Sequence, residues 1–116
     1  MRSKTVNLAV IFKAAGLPEP VPEYRFSEDR NWRFDYAFVD QKLALEIEGG
    51  VWTRGRHTTG KGFLGDMEKY NQATILGWRL LRCTPAMIKS GEAITLLKEA
   101  FGKKMYPLVM DRPKFE

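Results

Sequence analysis

The chain of 116 residues has a single cysteine, Cys83, and a single histidine, His57. No internal disulfide can form, and a zinc site built from the chain's own Cys and His side chains is excluded, so any catalytic metal is expected to be held by oxygen. No stretch approaches the ~20 apolar residues needed to span a bilayer. The N-terminus has neither the apolar core nor the small-residue cleavage site of a secretory signal. These absences predict a cytoplasmic protein with no membrane partner. The sequence also lacks repeats, low-complexity segments and any linker long enough to separate one domain from another. One domain is expected over 1–116, with a core at about 23–102 and a basic tail at 103–116.

What is present is an apolar fraction of 44%, with seven Phe, four Tyr and three Trp, enough for a chain of this size to fold around one core. Nineteen Lys and Arg against fourteen Asp and Glu give a net charge of +5 and a pI near 9.5. That balance favours polyanionic partners such as nucleic acid, although many proteins so charged bind none.

Ser3 is placed to cap a helix running to about Ala15, with Val6, Leu8, Ala9, Ile11 and Phe12 as its apolar stripe and Gly16 and Pro18 ending it. Leu17 to Pro22 reads as a connector, Glu23 to Phe26 as a short strand, and Ser27 to Asn31 as a polar turn. Trp32 to Val39 and Lys42 to Glu48 alternate apolar with polar or small residues, and Asp40-Gln41 between them makes the turn of a hairpin. A loop from Val51 to Gly62 carries Arg54, Arg56, His57 and Lys61. The next helix is expected from about Phe63 to Leu76, burying Phe63, Met67, Tyr70 and Thr74, with Gly77 as its left-handed cap. Trp78 to Cys83 reads as a strand. Thr84-Pro85 opens a helix, or a pair broken at Gly91, that runs to about Phe101. This order predicts a compact α/β fold, a four-stranded mixed sheet with helices flanking it.

In a strand, residues two apart share a face, so Glu46 and Glu48 point one way while Leu45 and Ile47 point into the core. A two-residue turn at Asp40-Gln41 pairs Phe38 with Leu43, Asp35 with Glu46 and Arg33 with Glu48. The turn lacks the Asn-Gly or Asp-Gly that would fix this register, so a slip or bulge stays open. Like charges opposite one another on neighbouring strands repel, and something positive is required between Asp35 and Glu46. Arg33 can supply some of it. A hard divalent cation, held by one or two carboxylates, a carbonyl and several waters, fits the geometry better, and magnesium is the natural candidate. The alternative is that these residues form only the solvated face of an antiparallel sheet.

The pattern Asp35, ten residues, then Glu46-Ile47-Glu48 resembles the signature of the PD-(D/E)XK nuclease superfamily: an acidic residue, a spacer, then an acidic residue, any residue and a lysine. A wider run carries the likeness further. It comprises Trp32-Arg33-Phe34-Asp35, Glu46-Ile47-Glu48-Gly49-Gly50, Gly55-Arg56-His57, Asp66 with Lys69-Tyr70-Asn71, and Gly77-Trp78 leading into Leu81-Arg82. Over roughly residues 23 to 85 the chain is similar to a branch of small phage and bacterial endonucleases related in layout to the very-short-patch repair endonuclease-like group. The resemblance implies a restriction-endonuclease-like core, hydrolysis of DNA phosphodiester bonds with Mg²⁺ or Mn²⁺, and work inside a bacterium or a phage-infected host. It implies Asp35 and Glu46 as metal ligands, joined by the backbone carbonyl of Ile47. Two positions depart from the signature. Phe34 stands where it has proline, and Glu48 stands where it has lysine. Glu48 is then a general base or a further ligand, and the missing cation comes from Lys69 on the following helix or from Lys61 in the loop.

Arg54, Arg56, His57 and Lys61 are expected to contact nucleic-acid phosphates, His57 being otherwise an exposed loop residue. Asp66 and Lys69, three apart on a helix, read plainly as a surface ion pair. Glu23 can approach the metal site from the preceding strand, and Trp52 can stack on a base. Cys83 reads as a packing residue. RNA stays open as a substrate, and a homodimer would suit duplex cleavage although the sequence carries no signal for one. The competing readings are a non-catalytic nucleic-acid-binding module of a recombination or replication complex and a structural component of such a complex. The first leaves the acidic patch unexplained.

Overall fold

The computed structural model describes residues 8–49 and 60–102. Ser3, Trp52, Arg54, Arg56, His57 and the tail at 103–116 lie outside the described residues, as do the side chains of Lys61 and Phe63. The chain runs α1 (Leu8–Ala14), β1 (Val21–Arg25), β2 (Arg33–Phe38), β3 (Leu43–Ile47), α2 (Gly60–Ile75), β4 (Arg79–Cys83), α3 (Pro85–Ser90) and α4 (Glu92–Gly102). The strands form one mixed sheet in the order β1-β2-β3-β4, antiparallel from β1 to β3, with β4 added parallel to β3 after α2 crosses over. No helix among the described residues is long and apolar enough to cross a membrane.

The hairpin register is the one the two-residue turn at Asp40-Gln41 predicts: Phe38 pairs with Leu43, Ala37 with Ala44 and Tyr36 with Leu45. With no glycine in the turn, Lys42 takes the left-handed conformation, at φ 52°. Its surroundings hold it there. Lys42 Nζ donates to the Leu76 carbonyl at 2.7 Å, where an ammonium favours the C-terminal end of α2, and the Lys42 carbonyl accepts from the Arg79 N–H at 2.9 Å. One side chain thus ties the hairpin to the end of α2 and the start of β4. Gly77, at φ 92°, closes α2 as expected, letting the Trp78 N–H reach the Ala73 carbonyl at 2.9 Å. Gly91, also at φ 92°, breaks the last helical stretch into α3 and α4, and the Thr84 hydroxyl caps α3 by accepting from the Met87 N–H.

The sheet carries different cores on its two faces. Leu8 and Phe12 of α1 and Ala93 and Leu97 of α4 pack on Tyr36, Phe38, Leu43, Leu45 and Cys83. On the other face, Phe34, Ala37, Ala44 and Trp78 meet Ala73 of α2.

Two elements differ from the sequence reading. β1 starts at Val21 rather than Glu23 and includes Pro22, which an edge strand tolerates because the missing N–H need not join a ladder. α2 begins at Gly60, and of the expected apolar stripe Tyr70 turns inward while Met67 and Thr74 do not. Met67 is 43% exposed and Thr74 is exposed, whereas Ala73 is buried and Asp66, Lys69 and Tyr70 are half-buried. The helix turns a polar stripe inward because the sheet beneath it carries carboxylates.

Candidate active site

Beyond Tyr36↔Leu45, acidic side chains take over the backbone's partners between β2 and β3. The Asp35 N–H donates to Glu46 Oε2 at 3.2 Å, and the Ile47 N–H donates to Asp35 Oδ2 at 2.7 Å. Each carboxylate thus satisfies a backbone N–H on the opposite strand, and the two are locked reciprocally. Charge-assisted bonds of this kind are shorter and stronger than neutral ones.

The backbone is distorted at this level. Phe34 and Tyr36 are two apart on β2 yet pack in different cores, so the strand's alternation breaks at Asp35. On the β1 side, the pairs Pro22↔Tyr36 and Tyr24↔Phe34 put Glu23 opposite Asp35, and Glu23 has φ 49°. A glutamate held in the left-handed region costs ~1 kcal/mol or more, and such strain gathers at functional positions. Burial pushes the Tyr36 phenol above its ordinary pKa, and the charges of Asp35 and Glu23 push it further. By the β1–β2 pairing Glu23 stands across from Asp35 at one end of the sheet.

Glu46 is the centre of the arrangement. At 7% exposure it is the buried charged residue among those described. Lys69 of α2 holds its Nζ 3.3 Å from Oε1 and 3.4 Å from Oε2, and the Tyr70 hydroxyl donates to Oε1 at 3.2 Å. Burial raises the pKa of Glu46, the Lys69 ammonium pulls it back, and the neighbouring Asp35 charge raises it again. The balance leaves it above the usual carboxylate range. Asp66, Lys69, Tyr70 and Ala73 fall at spacings of three and four, so one stripe of α2 delivers both the ammonium and the phenol to the same carboxylate.

Glu48 looks elsewhere. Its Oε2 accepts from Arg82 Nε at 2.9 Å, and Arg82 lies with its Cζ 4.9 Å from the centre of the Tyr70 ring. Lys69 Nζ lies 5.3 Å from the same ring. Burial opposes the charge on Arg82, but its hydrogen bond and attraction to Glu48 outweigh that and hold its pKa above the ordinary value. Burial, then the charges of Glu46 and Glu48, push the Tyr70 phenol up, so it stays a donor. Burial likewise pushes the Cys83 thiol up to about 11, in keeping with a packing residue.

The structure brings together Asp35, Glu46 and Lys69, with Ile47 N–H on Asp35. It does not bring Arg33 to Glu48. Arg33 is exposed and pairs with Arg25 on β1, while Glu48 follows the end of β3 and meets Arg82 of β4. The hairpin pattern considers only the antiparallel neighbour, whereas the parallel strand on the other side sets Arg82 beside Glu46. Lys69 pairs with Glu46. The hydroxyl of Tyr70 and the guanidinium of Arg82 are the partners that sequence reasoning misses. The alternation in β4 holds the signal for Arg82, since Leu81 and Cys83 join one core and Leu80 the other.

No group of three or more His, Cys, Asp or Glu side chains among the described residues is arranged to hold a metal ion. What β2 and β3 offer is an all-oxygen set, the carboxylates of Asp35 and Glu46 with the Ile47 carbonyl beside them in sequence. Such a set fits a hard cation that keeps several of its waters.

Comparison of the chain with protein-family models, with curated proteins and with solved structures gives no match in any of the three.

Proposed function

We propose that the chain is a magnesium-dependent endonuclease of the PD-(D/E)XK type that hydrolyses DNA phosphodiester bonds. Asp35 and Glu46 hold the metal, and Lys69 supplies the cation that the signature's lysine usually provides. One observation carries this reading: the backbone N–H of Asp35 on β2 and the Lys69 ammonium of α2 converge on the Glu46 carboxylate of β3, whose side chain is only 10% exposed. A merely solvated sheet face would leave Glu46 in water. Burying a carboxylate is costly unless it is paired and hydrogen-bonded, and ion-paired groups with displaced pKa values gather at functional sites.

The chain's own residues have distinct tasks. The carboxylates of Asp35 and Glu46 and the Ile47 carbonyl are the ligands, and the reciprocal N–H bonds fix both carboxylates before anything binds. A magnesium ion bound there supplies a Lewis acid for the scissile phosphate and lowers the pKa of a coordinated water. Lys69, beside Glu46, stabilises negative charge that develops on the phosphoryl oxygens during in-line attack. Glu48, tied to Arg82, acts as a brace rather than as the general base. Glu23, across from Asp35, is an additional acidic group at the same end. Arg54, Arg56, His57 and Lys61 contact the backbone phosphates of the nucleic acid, and Trp52 stacks on a base.

The test is incubation with labelled linear, nicked, flapped and four-way DNA, and with RNA, in the presence and absence of Mg²⁺ or Mn²⁺. Cleavage is expected only with metal, and it should disappear in Asp35→Ala and Glu46→Ala while both variants still bind DNA. Wild-type cleavage by either variant would sink the site. Salt-dependent binding with no cleavage under any condition would favour a non-catalytic nucleic-acid-binding module.

A further inference from the structure

We infer that Tyr70 is a positioning residue whose hydroxyl fixes the Glu46 carboxylate in the orientation that receives a divalent cation. The inference rests on the reading of Glu46 as a metal ligand. The two oxygens of Glu46 have different holders. Oε2 accepts from the Asp35 N–H at 3.2 Å and Oε1 from the Tyr70 hydroxyl at 3.2 Å, while Lys69 Nζ sits within 3.4 Å of both. The amide and the phenol are neutral donors. Lys69 is a full charge on a flexible stem, and a divalent cation arriving at Glu46 repels it. A carboxylate has about four lone-pair sites, so the neutral donors can keep theirs while a cation takes another. With a cation present, the orientation of Glu46 therefore depends on the Asp35 N–H and the Tyr70 hydroxyl.

The phenol is itself held from outside the acidic pair. Arg82 packs on the Tyr70 ring, and the bond from Arg82 Nε to Glu48 at 2.9 Å steadies that guanidinium. Arg82 lies beside Glu46 in the β3–β4 register, so helix and strand fix the ring together. This gives the Glu48–Arg82 pair a purpose that a surface ion pair lacks, since Arg82 is itself 52% exposed. Groups that orient a metal ligand typically contribute ~10- to 100-fold to metal affinity.

Tyr70→Phe tests this because it keeps the ring and both cation contacts and removes only the hydroxyl. Mn²⁺ is titrated calorimetrically into the full chain as wild type, Tyr70→Phe and Glu46→Gln without DNA, and the melting temperature of each is taken without metal. Wild type should bind, Glu46→Gln should not, and Tyr70→Phe should bind ~10-fold or more weakly with little change in melting temperature. Failure of the wild type to bind overturns the nuclease reading and this inference with it. Binding that Glu46→Gln abolishes and Tyr70→Phe leaves unchanged overturns this inference alone, whether or not Tyr70→Phe melts lower. A second readout needs no variant: the Cζ carbon resonance of Tyr70 should shift when Mg²⁺ is added to the wild-type chain. A resonance that stays in place while Mg²⁺ binds also overturns it.

Discussion

On the face of the sheet covered by α1 and α4, Phe12, Phe38, Leu43, Leu45 and Leu97 are each at most 2% exposed and form a continuous apolar core. On the face covered by α2, a smaller apolar patch around Phe34, Ala44 and Trp78 gives way at Glu46 to a chain of charges and hydrogen bonds: Asp35, Glu46, Lys69, Tyr70, Arg82 and Glu48. The first face is held by the removal of apolar surface from water, which is non-directional and needs no particular partner. The second must satisfy each polar group individually, and a buried ion pair built this way is weak evidence for stability. One sheet thus has an apolar core on one face and, at one end of the other face, a network of charged and hydrogen-bonded side chains.

Paired truncations break this comparison with the largest effect. Glu46→Ala should abolish detectable metal-dependent cleavage. Leu97→Ala, on the apolar face, should instead lower stability by ~2–5 kcal/mol and leave the cleavage rate of the folded fraction unchanged. Urea unfolding and single-turnover rates on both variants check it, and equal losses of stability and rate in both would erase the distinction between the faces.

Within the charged end, Lys69→Met should slow single-turnover cleavage at saturating Mg²⁺ by ~10²-fold, as the loss of a charge-stabilising donor does. Glu48→Gln should fall short of the ~10²-fold loss expected for removing a general base. The reverse order would make Glu48 the base and Lys69 a structural counter-charge.

The pH dependence sharpens the contrast thermodynamically. Burial raises the pKa of Glu46 in the folded chain, so the folded state holds that proton more tightly than the unfolded state does. Its contribution to stability is full below the ordinary carboxylate value and is lost as pH rises through the raised one. Without divalent metal, the melting temperature of the wild type relative to Glu46→Gln should therefore fall as pH rises across that window. A flat difference would mean that Glu46 is no less comfortable when charged than it is in the unfolded chain.

The smallest effect concerns binding alone. Neutralising two of Arg54, Arg56 and Lys61 should flatten the dependence of log affinity for DNA on log salt by ~2 units. An unchanged slope would move the phosphate contacts to another surface, such as the basic tail.

Much of the apolar face is legible in the sequence because its rule is local. Leu43, Leu45 and Ile47 alternate with Ala44 and Glu46, which sets the inward face, and the two-residue turn at Asp40-Gln41 yields the register in which Phe38 meets Leu43 and Tyr36 meets Leu45. Gly77 and Gly91 announce their left-handed caps just as locally. The charged end is less fully legible. The register sets the Asp35 backbone against the Glu46 side chain, but apolar spacing reads only part of the inward stripe of α2: Tyr70 turns inward as expected, whereas Lys69 also turns inward and Met67 turns out. Arg82 needs the parallel pairing of β3 with β4, which follows a crossover and leaves no turn in the sequence to count from. The broken alternation at Asp35 and the left-handed Glu23 likewise depend on how three strands meet.

The most direct test of the division between the faces is one variant measured two ways. Glu46→Gln keeps the shape of the side chain and removes its charge, so its melting temperature without metal and its single-turnover cleavage with saturating Mg²⁺ can be compared on the same preparation at pH 8. If this end of the sheet is organised for catalysis, the variant should melt no lower than the wild type and fail to cleave. A variant that melts well below the wild type, yet cleaves at the wild-type rate while folded, would make Glu46 a structural residue and contradict the account.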